Sequence, residues 1–178
     1  SHCGSRAGPV GRDAELDTEE IFEVARSLER LGCRETSLIG GEAYLRRDIH
    51  AIIAFIASLG MRVVMQTGGR TLSRERAQAL KDAGLEAMGV SVDGLMLAHD
   101  KLRGNLGSYR AAIAALDVAR EVGLITTANT QINKLNMDQL PELCAELRAH
   151  GIQSWQVQLT VAMGRAADRP EWIVDTWD

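Results

Sequence analysis

Five short stretches of the chain concentrate groups that bind and orient ligands. They are Gly40-Gly41-Glu42, Gln66-Thr67-Gly68-Gly69-Arg70, Ser91-Val92-Asp93-Gly94, Asn129-Thr130-Gln131-Ile132-Asn133 and Gln156-Val157-Gln158. Glycines let a backbone approach a ligand closely, carboxylates accept hydrogen bonds from cations, and side-chain amides both donate and accept. Asn129 and Gln131 flank Thr130, so in an extended strand they share one face. A single such cluster is ordinary turn chemistry. Five of them at equivalent places in a repeating pattern define a ligand site.

The repeating pattern is helix, glycine, strand. Gly32, Gly60, Gly84, Gly123 and Gly151 each follow an amphipathic stretch and precede a β-rich one. Glycine just past a helix accepts the left-handed backbone that closes the last turn. Helices are expected from Thr18 as N-cap through Leu31, from Asp48 as N-cap through Leu59, and from Ser73 as N-cap through Ala83. Two more run from about Ser108 to Val122 and from about Met137 to Ala149, with Pro141 near the start of the latter. Strands are expected at 36–39, 62–66, 87–92, 125–130 and 154–160. His99-Asp100 reads as chemistry that orders a loop. His50 and His150 read as solvated, and Cys33 and Cys144 as structural. The tail after Ala167 has no clear period.

Strands alternating with helices make βα units and a parallel sheet, with five strands in sequential order across 35–160. Where strands begin, the chain is the bland helix–glycine junction; where they end, it is polar. Ligands of parallel α/β folds bind at the carboxyl ends of strands. Glu42, Ser91, Asn129 and Gln131 are therefore expected at one mouth, and the five glycines at the opposite end.

Composition narrows the options. The 178 residues are 46% hydrophobic and 25% charged, enough for one domain with a sizeable core. Twenty Lys and Arg against 24 Asp and Glu give a formal charge of −4, which offers no cationic surplus for nucleic acid or an anionic membrane. No apolar run approaches the ~20 residues that cross a bilayer, and no signal peptide is visible. Three scattered cysteines do not make a secreted disulfide framework, so a cytoplasmic protein is expected. Neither a P-loop nor a Gly-x-Gly-x-x-Gly turn after a strand occurs.

The ordered set of motifs resembles the radical S-adenosylmethionine (radical SAM) enzymes, in particular their peptide- and cofactor-maturing branch. Ser1-His2-Cys3-Gly4 is similar to the end of that family's Cys-x3-Cys-x2-Cys loop, and Gly40-Gly41-Glu42 to its Gly-Gly-Glu motif. Ser91-Val92-Asp93-Gly94 followed by His99-Asp100 and Leu102-Arg103-Gly104 resembles its fourth-strand segment, and Gly164-Arg165-Ala166 the turn after its sixth strand. The similarity runs from residue 2 to about 168. It implies an α/β fold, a partial TIM-like (β/α)6 barrel of parallel strands whose first strand is missing from this chain. On this reading residues 1–178 are an N-terminally truncated core domain with an irregular tail from about 168 to 178, and the chain alone is expected to be inactive.

The resemblance also implies a chemistry. A [4Fe–4S] cluster held by cysteines, of which Cys3 is the one present, would chelate S-adenosylmethionine (AdoMet) and cleave it reductively to a 5′-deoxyadenosyl radical. That radical would abstract hydrogen from a substrate, a ribosomally made peptide by resemblance. His2, Gly40, Gly41, Glu42, Ser91, Asn129 and Gln131 would bind the cofactor, with Glu42 accepting from the methionyl ammonium. Asp93, Asn133, Gln158 and Arg165 would line the substrate end. A reductant such as flavodoxin or ferredoxin would supply the electron. The rival reading is a non-radical α/β barrel fragment that binds a small molecule and carries no iron–sulfur cluster.

Overall fold

A computed structural model describes residues 15–175 and residue 177. His2 and Cys3 lie outside the described residues. Five strands, β1 (Glu35–Leu38), β2 (Arg62–Thr67), β3 (Leu85–Ser91), β4 (Ile125–Ile132) and β5 (Ser154–Leu159), pair in sequential order. Every pairing is parallel, and the sheet curls into a half-barrel. Strand order and direction match the expectation from sequence.

The helices cover one face of this sheet. They are α1 (Thr18–Arg30), α2 (Ile49–Ser58), α3 (Arg74–Asp82), α4 (Met96–Arg103), α5 (Ser108–Glu121) and α6 (Leu140–Ala149). Val63 and Met65 of β2 and Met88 and Val90 of β3 point into them and are fully buried with Ile53, Leu80 and Leu116. Each such side chain contributes roughly 1.5–3 kcal/mol by leaving water. The alternate strand residues face the concave side and are mostly polar.

Several local expectations change. Asp17, not Thr18, caps α1: it accepts from the Glu20 N–H at 2.9 Å, and Glu20 accepts from the Asp17 N–H at 2.9 Å. A carboxylate one residue earlier completes this reciprocal box, which a cap at Thr18 would not. The Thr18 hydroxyl instead donates to Asp48 at 2.6 Å. Asp48 occupies the N-cap position of α2, but its oxygens face Thr18 and Arg46 rather than the helix amides. Ser73 does cap α3, accepting from Arg76 N–H at 3.2 Å. The segment read as loop contains α4, which closes at Gly104 with φ 65°. His150 is not simply solvated; its Nδ1 lies 2.9 Å from Asp117 of α5. The tail forms 3-10 turns at Ala166–Asp168 and Pro170–Trp172, tied back by the Lys134 N–H to the Trp172 carbonyl at 2.9 Å.

The five junction glycines all adopt positive φ, from 75° at Gly151 to 111° at Gly84. They mark the floor of the half-barrel, where strands begin. There Arg62 bridges Glu35 at 2.6 Å and Glu86 at 3.2 Å. No helix among the described residues is long and apolar enough to cross a membrane.

Candidate functional site

The mouth of the half-barrel is assembled from the loops after each strand. After β1 the chain passes Gly40 and Gly41 and enters a short 3-10 turn, Ala43–Leu45, with Glu42 at its N-cap. Glu42 does not cap that turn. Its carboxylate crosses to the end of β2, where Oε1 accepts from the Gly68 N–H at 2.8 Å and Oε2 from the Thr67 hydroxyl at 2.5 Å. Thr67 Oγ1 accepts in turn from the Gly69 N–H at 2.8 Å. The Glu42 carboxylate is thus oriented by two residues at the end of β2, Thr67 itself being held by Gly69, with lone pairs left for a ligand.

Tyr44 reinforces this corner. Its hydroxyl donates to the Arg70 carbonyl, and burial, then the nearby Glu42 carboxylate, pushes the phenol up to about 12. The tyrosine is buried and stays neutral at working pH.

Glu42 opens on a cleft shared with Gly41, Gln66, Gly68, Ser91 and Arg103. A Cβ added at Gly40 or Gly41 would meet nothing within 4 Å, so this stretch of backbone is open on the ligand side. Arg103 enters from the end of α4, held by Asp93 at 2.7 Å. Its Nε–H is buried and has no protein acceptor among the described residues. The cleft therefore brings together one carboxylate, one guanidinium and one hydroxyl. That donor set fits the ammonium and carboxylate of an amino-acid moiety.

Behind the cleft, the loops after β3 and β4 are clasped together. Asp93 is 1% exposed, and its Oδ1 accepts from the Gln131 N–H at 2.9 Å. The Asp93 N–H donates to His99 Nδ1 at 2.9 Å. Asn136 donates to the carbonyls of both Asp93 and Gln131 at 2.8 Å. Asp100 accepts from the Gly107 N–H at 2.7 Å and from the Ser108 hydroxyl and the Tyr109 N–H at 2.8 Å each. Burial alone would raise the Asp100 pKa, but these donors and the neighbouring His99 hold it below the usual carboxylate range. His99 and Asp100 do order the chain around them, though from a helix rather than a loop.

The concave face continues as a row of carboxamides. Asn129 donates to Gln66 Oε1 across β3, and Gln131 donates to Gln158 Oε1 at 2.9 Å. Thr130 points the other way, donating to the Val92 carbonyl at 2.6 Å and accepting from the Trp155 indole at 2.8 Å.

Of the residues expected at the site, Gly40, Gly41, Glu42 and Ser91 line one cleft, and Asn129 joins it through Gln66. Gln131 and Gln158 lie together two residues farther along β4 and β5, toward the strand ends. Asp93 and Asn133 are placed inside the wall instead of on its surface. Asn133 is fully buried, accepting from Leu135 N–H at 2.9 Å and donating to the Gln131 carbonyl at 3.2 Å. Arg165 is exposed at the start of a 3-10 turn and does not line this cleft. Among the described residues no group of three His, Cys, Asp or Glu side chains could hold a metal ion. Gln66 and Thr67 stand in a polar cluster noted from sequence and Arg103 in a motif, but none of the three was given a site role there. A glycine inside β3 opposite Gln66 was the available signal for the first, since it marks a close approach; Arg103 needed α4.

Comparison with known proteins identifies the family and the fold. The model of the Radical SAM superfamily matches residues 1–147. The chain is 34% identical over 142 residues to the Fe-coproporphyrin III synthase of Methanosarcina barkeri, covering 80% of this chain and 36% of that protein. It is 31% identical over 156 residues to the PqqA peptide cyclase of Methylocella silvestris, covering 85% of this chain and 42% of that one. The chain thus spans less than half the length of these curated relatives. Among solved structures, Streptococcus suis SuiB bound to precursor peptide SuiA superposes with a TM-score of 0.77 at 18% identity, over 90% of this chain and 36% of that chain. AdoMet-bound anSMEcpe superposes with a TM-score of 0.74 at 13% identity, over 90% of this chain and 47% of that chain. At these identities the likeness is one of fold.

Proposed function

The chain belongs to the radical SAM superfamily, and on that premise we propose that its mouth cleft binds AdoMet by the methionyl end. The observation that carries this reading is the Glu42 carboxylate, fixed by Thr67 and Gly68 in a cleft that Arg103 also lines. Glu42 accepts from the ammonium, Arg103 donates to the carboxylate, and Ser91 offers a hydroxyl. The open backbone at Gly40 and Gly41 lets the chain lie against the ligand, and Asn129 and Gln131 extend the polar surface along β4. His2 would flank the cofactor, and Cys3 is the residue assigned to a [4Fe–4S] cluster. When bound, cluster and AdoMet together supply a 5′-deoxyadenosyl radical that takes hydrogen from the substrate. A reductant such as flavodoxin or ferredoxin delivers the electron, and the protein works in the cytoplasm.

The substrate we propose is a ribosomally made peptide. The exposed concave surface of β4 and β5 carries Gln131, Gln156 and Gln158, neutral groups that pair with backbone amides and not selectively with carboxylates. Arg165, on the turn beyond β5, would meet a side chain or terminus of that peptide. Asp93 and Asn133 act on the same end indirectly, by holding the loops that carry these groups.

AdoMet binding to the full-length, cluster-loaded protein tests the reading. Glu42→Gln keeps the shape and removes the charge, so Kd should rise at least about tenfold, the loss of one charge-assisted contact. Unchanged binding in Glu42→Gln would overturn the assignment.

A further inference from the structure

We infer that Gln66 is a positioning residue that turns the carbonyl oxygen of Asn129 toward a ligand hydroxyl, and that the missing side chain at Gly89 is what permits it. This rests on the AdoMet reading of the cleft.

Gly89 lies in the middle of β3, paired with Gln66 on β2 and with Thr127 on β4. Its φ is not in the left-handed range that favours glycine, and it closes no turn. A glycine in a strand interior weakens the strand, so its presence calls for a steric reason. That reason is visible. A Cβ built on Gly89 would lie 2.1 Å from Gln66 Oε1 and 2.7 Å from Gln66 Cδ and Nε2. The Gln66 amide occupies the space where any other residue at position 89 would place its side chain.

From there Gln66 reaches the far neighbour. Strands β2 and β4 are separated by two strand spacings, roughly 9–10 Å, too far for their side chains to meet over an ordinary residue. Over bare Gly89 they do meet: Asn129 Nδ2 donates to Gln66 Oε1. The donor end of Asn129 is then engaged, and its Oδ1, which meets no donor among the described residues, is left as an acceptor beside Ser91, its partner in the register. A neutral acceptor at this depth suits a hydroxyl. The cation of the ligand already has Glu42. In AdoMet the matching donors are the ribose hydroxyls.

Substitution at position 89 is a clean wedge, because the atoms it would strike are the far end of a flexible side chain. Gly89→Ala displaces the Gln66 amide without demanding that backbone move. The test compares wild type, Gly89→Ala, Gln66→Ala and the double variant in full-length, cluster-loaded protein. Equilibrium Kd is measured for AdoMet and for an AdoMet analogue lacking both ribose hydroxyls, alongside the melting temperature. Wild type should prefer AdoMet, and each single variant should weaken AdoMet by about five- to tenfold while erasing the preference. The double variant should be no worse than either single one, since both remove the same contact. Additive losses, or a preference retained in Gly89→Ala, would overturn the inference while leaving the Glu42 reading intact. A merely structural role would lower the melting temperature and leave the ratio of the two affinities unchanged. Should Gly89→Ala fail to fold, Gln66→Ala alone decides, because it creates no clash. Wild-type protein that does not bind AdoMet at all would overturn the functional reading, and this inference with it.

Discussion

The two ends of the half-barrel are held together by different means. At the floor, each strand starts from a left-handed glycine whose own N–H bonds back to the preceding helix, as Gly60 does to the Ala57 carbonyl at 2.9 Å and Gly84 to Lys81 at 2.8 Å. These are backbone bonds, and the ion pairs around Arg62 sit on an exposed surface. At the mouth, side chains do the holding: Asp93, His99, Asp100, Asn133 and Asn136 are all buried and satisfy one another or nearby backbone. Backbone closure asks only for glycine and tolerates drift elsewhere. A buried polar network asks for particular atoms in particular places, which is what a ligand site also needs.

The comparison breaks most sharply at Asp100. Replacing it with Ala removes three hydrogen bonds to one carboxylate and leaves the N–H groups of Gly107 and Tyr109 without their acceptor. The buried Tyr109 N–H left without a partner costs more than its bond is worth, so we expect Asp100→Ala to lose about 2–4 kcal/mol by chemical denaturation of the full-length protein. A loss below about 1 kcal/mol would show that the mouth is not held by this network.

Acid sharpens the same contrast. The Arg46 guanidinium, paired through Nε at 2.6 Å, holds Asp48 at about 2, helped by Thr18, and Asp100 is also lowered. A carboxylate whose folded pKa is depressed adds stability that is fully present above its unfolded value, about 3.9, and lost as pH falls through the folded one. The stability owed to Asp48 should therefore drain between about pH 4 and pH 2. Asp48→Asn should flatten the acid limb of the stability-against-pH curve; an unaltered slope would mean that the Arg46 pair contributes nothing to folding.

This contrast explains what was legible in the residues themselves. The floor was readable because glycine after an apolar helical stretch is a local signal, and all five sites are left-handed. Strand order followed from the same punctuation. Helix α4 was not readable: it has eight residues, starts at Leu95 with no side-chain cap, and lies inside a motif read for its chemistry. Of the site, Glu42 and Ser91 stood out by type and place. Arg103 and Gln66 stood in quoted motifs without a role, because each becomes part of the site only through a partner that the fold brings to it. Asp93 reaches Arg103 across the turn of a helix, and Gln66 reaches Asn129 across 63 residues and a bare glycine. Asp93 and Asn133 carry ligand-like chemistry in sequence, yet burial turned them to holding the wall.

The smallest effect belongs to the floor. Arg62 makes two ion pairs, but its side chain is 40% exposed, and those of Glu35 and Glu86 are 49% and 56% exposed. Water screens such pairs and the long side chains lose rotamer freedom in forming them, so exposed pairs are typically worth 0.2–1 kcal/mol. Arg62→Ala should accordingly cost no more than about 1 kcal/mol in denaturant, and less at high salt, where screening already weakens the pairs. AdoMet affinity should not change, because Arg62 lies at the strand starts and the cleft at the strand ends. A loss of several kcal/mol, comparable to that of Asp100→Ala, would erase the distinction between the two ends. It would mean that the Glu35–Arg62–Glu86 cluster closes the floor as tightly as Asp93 and Asp100 close the mouth.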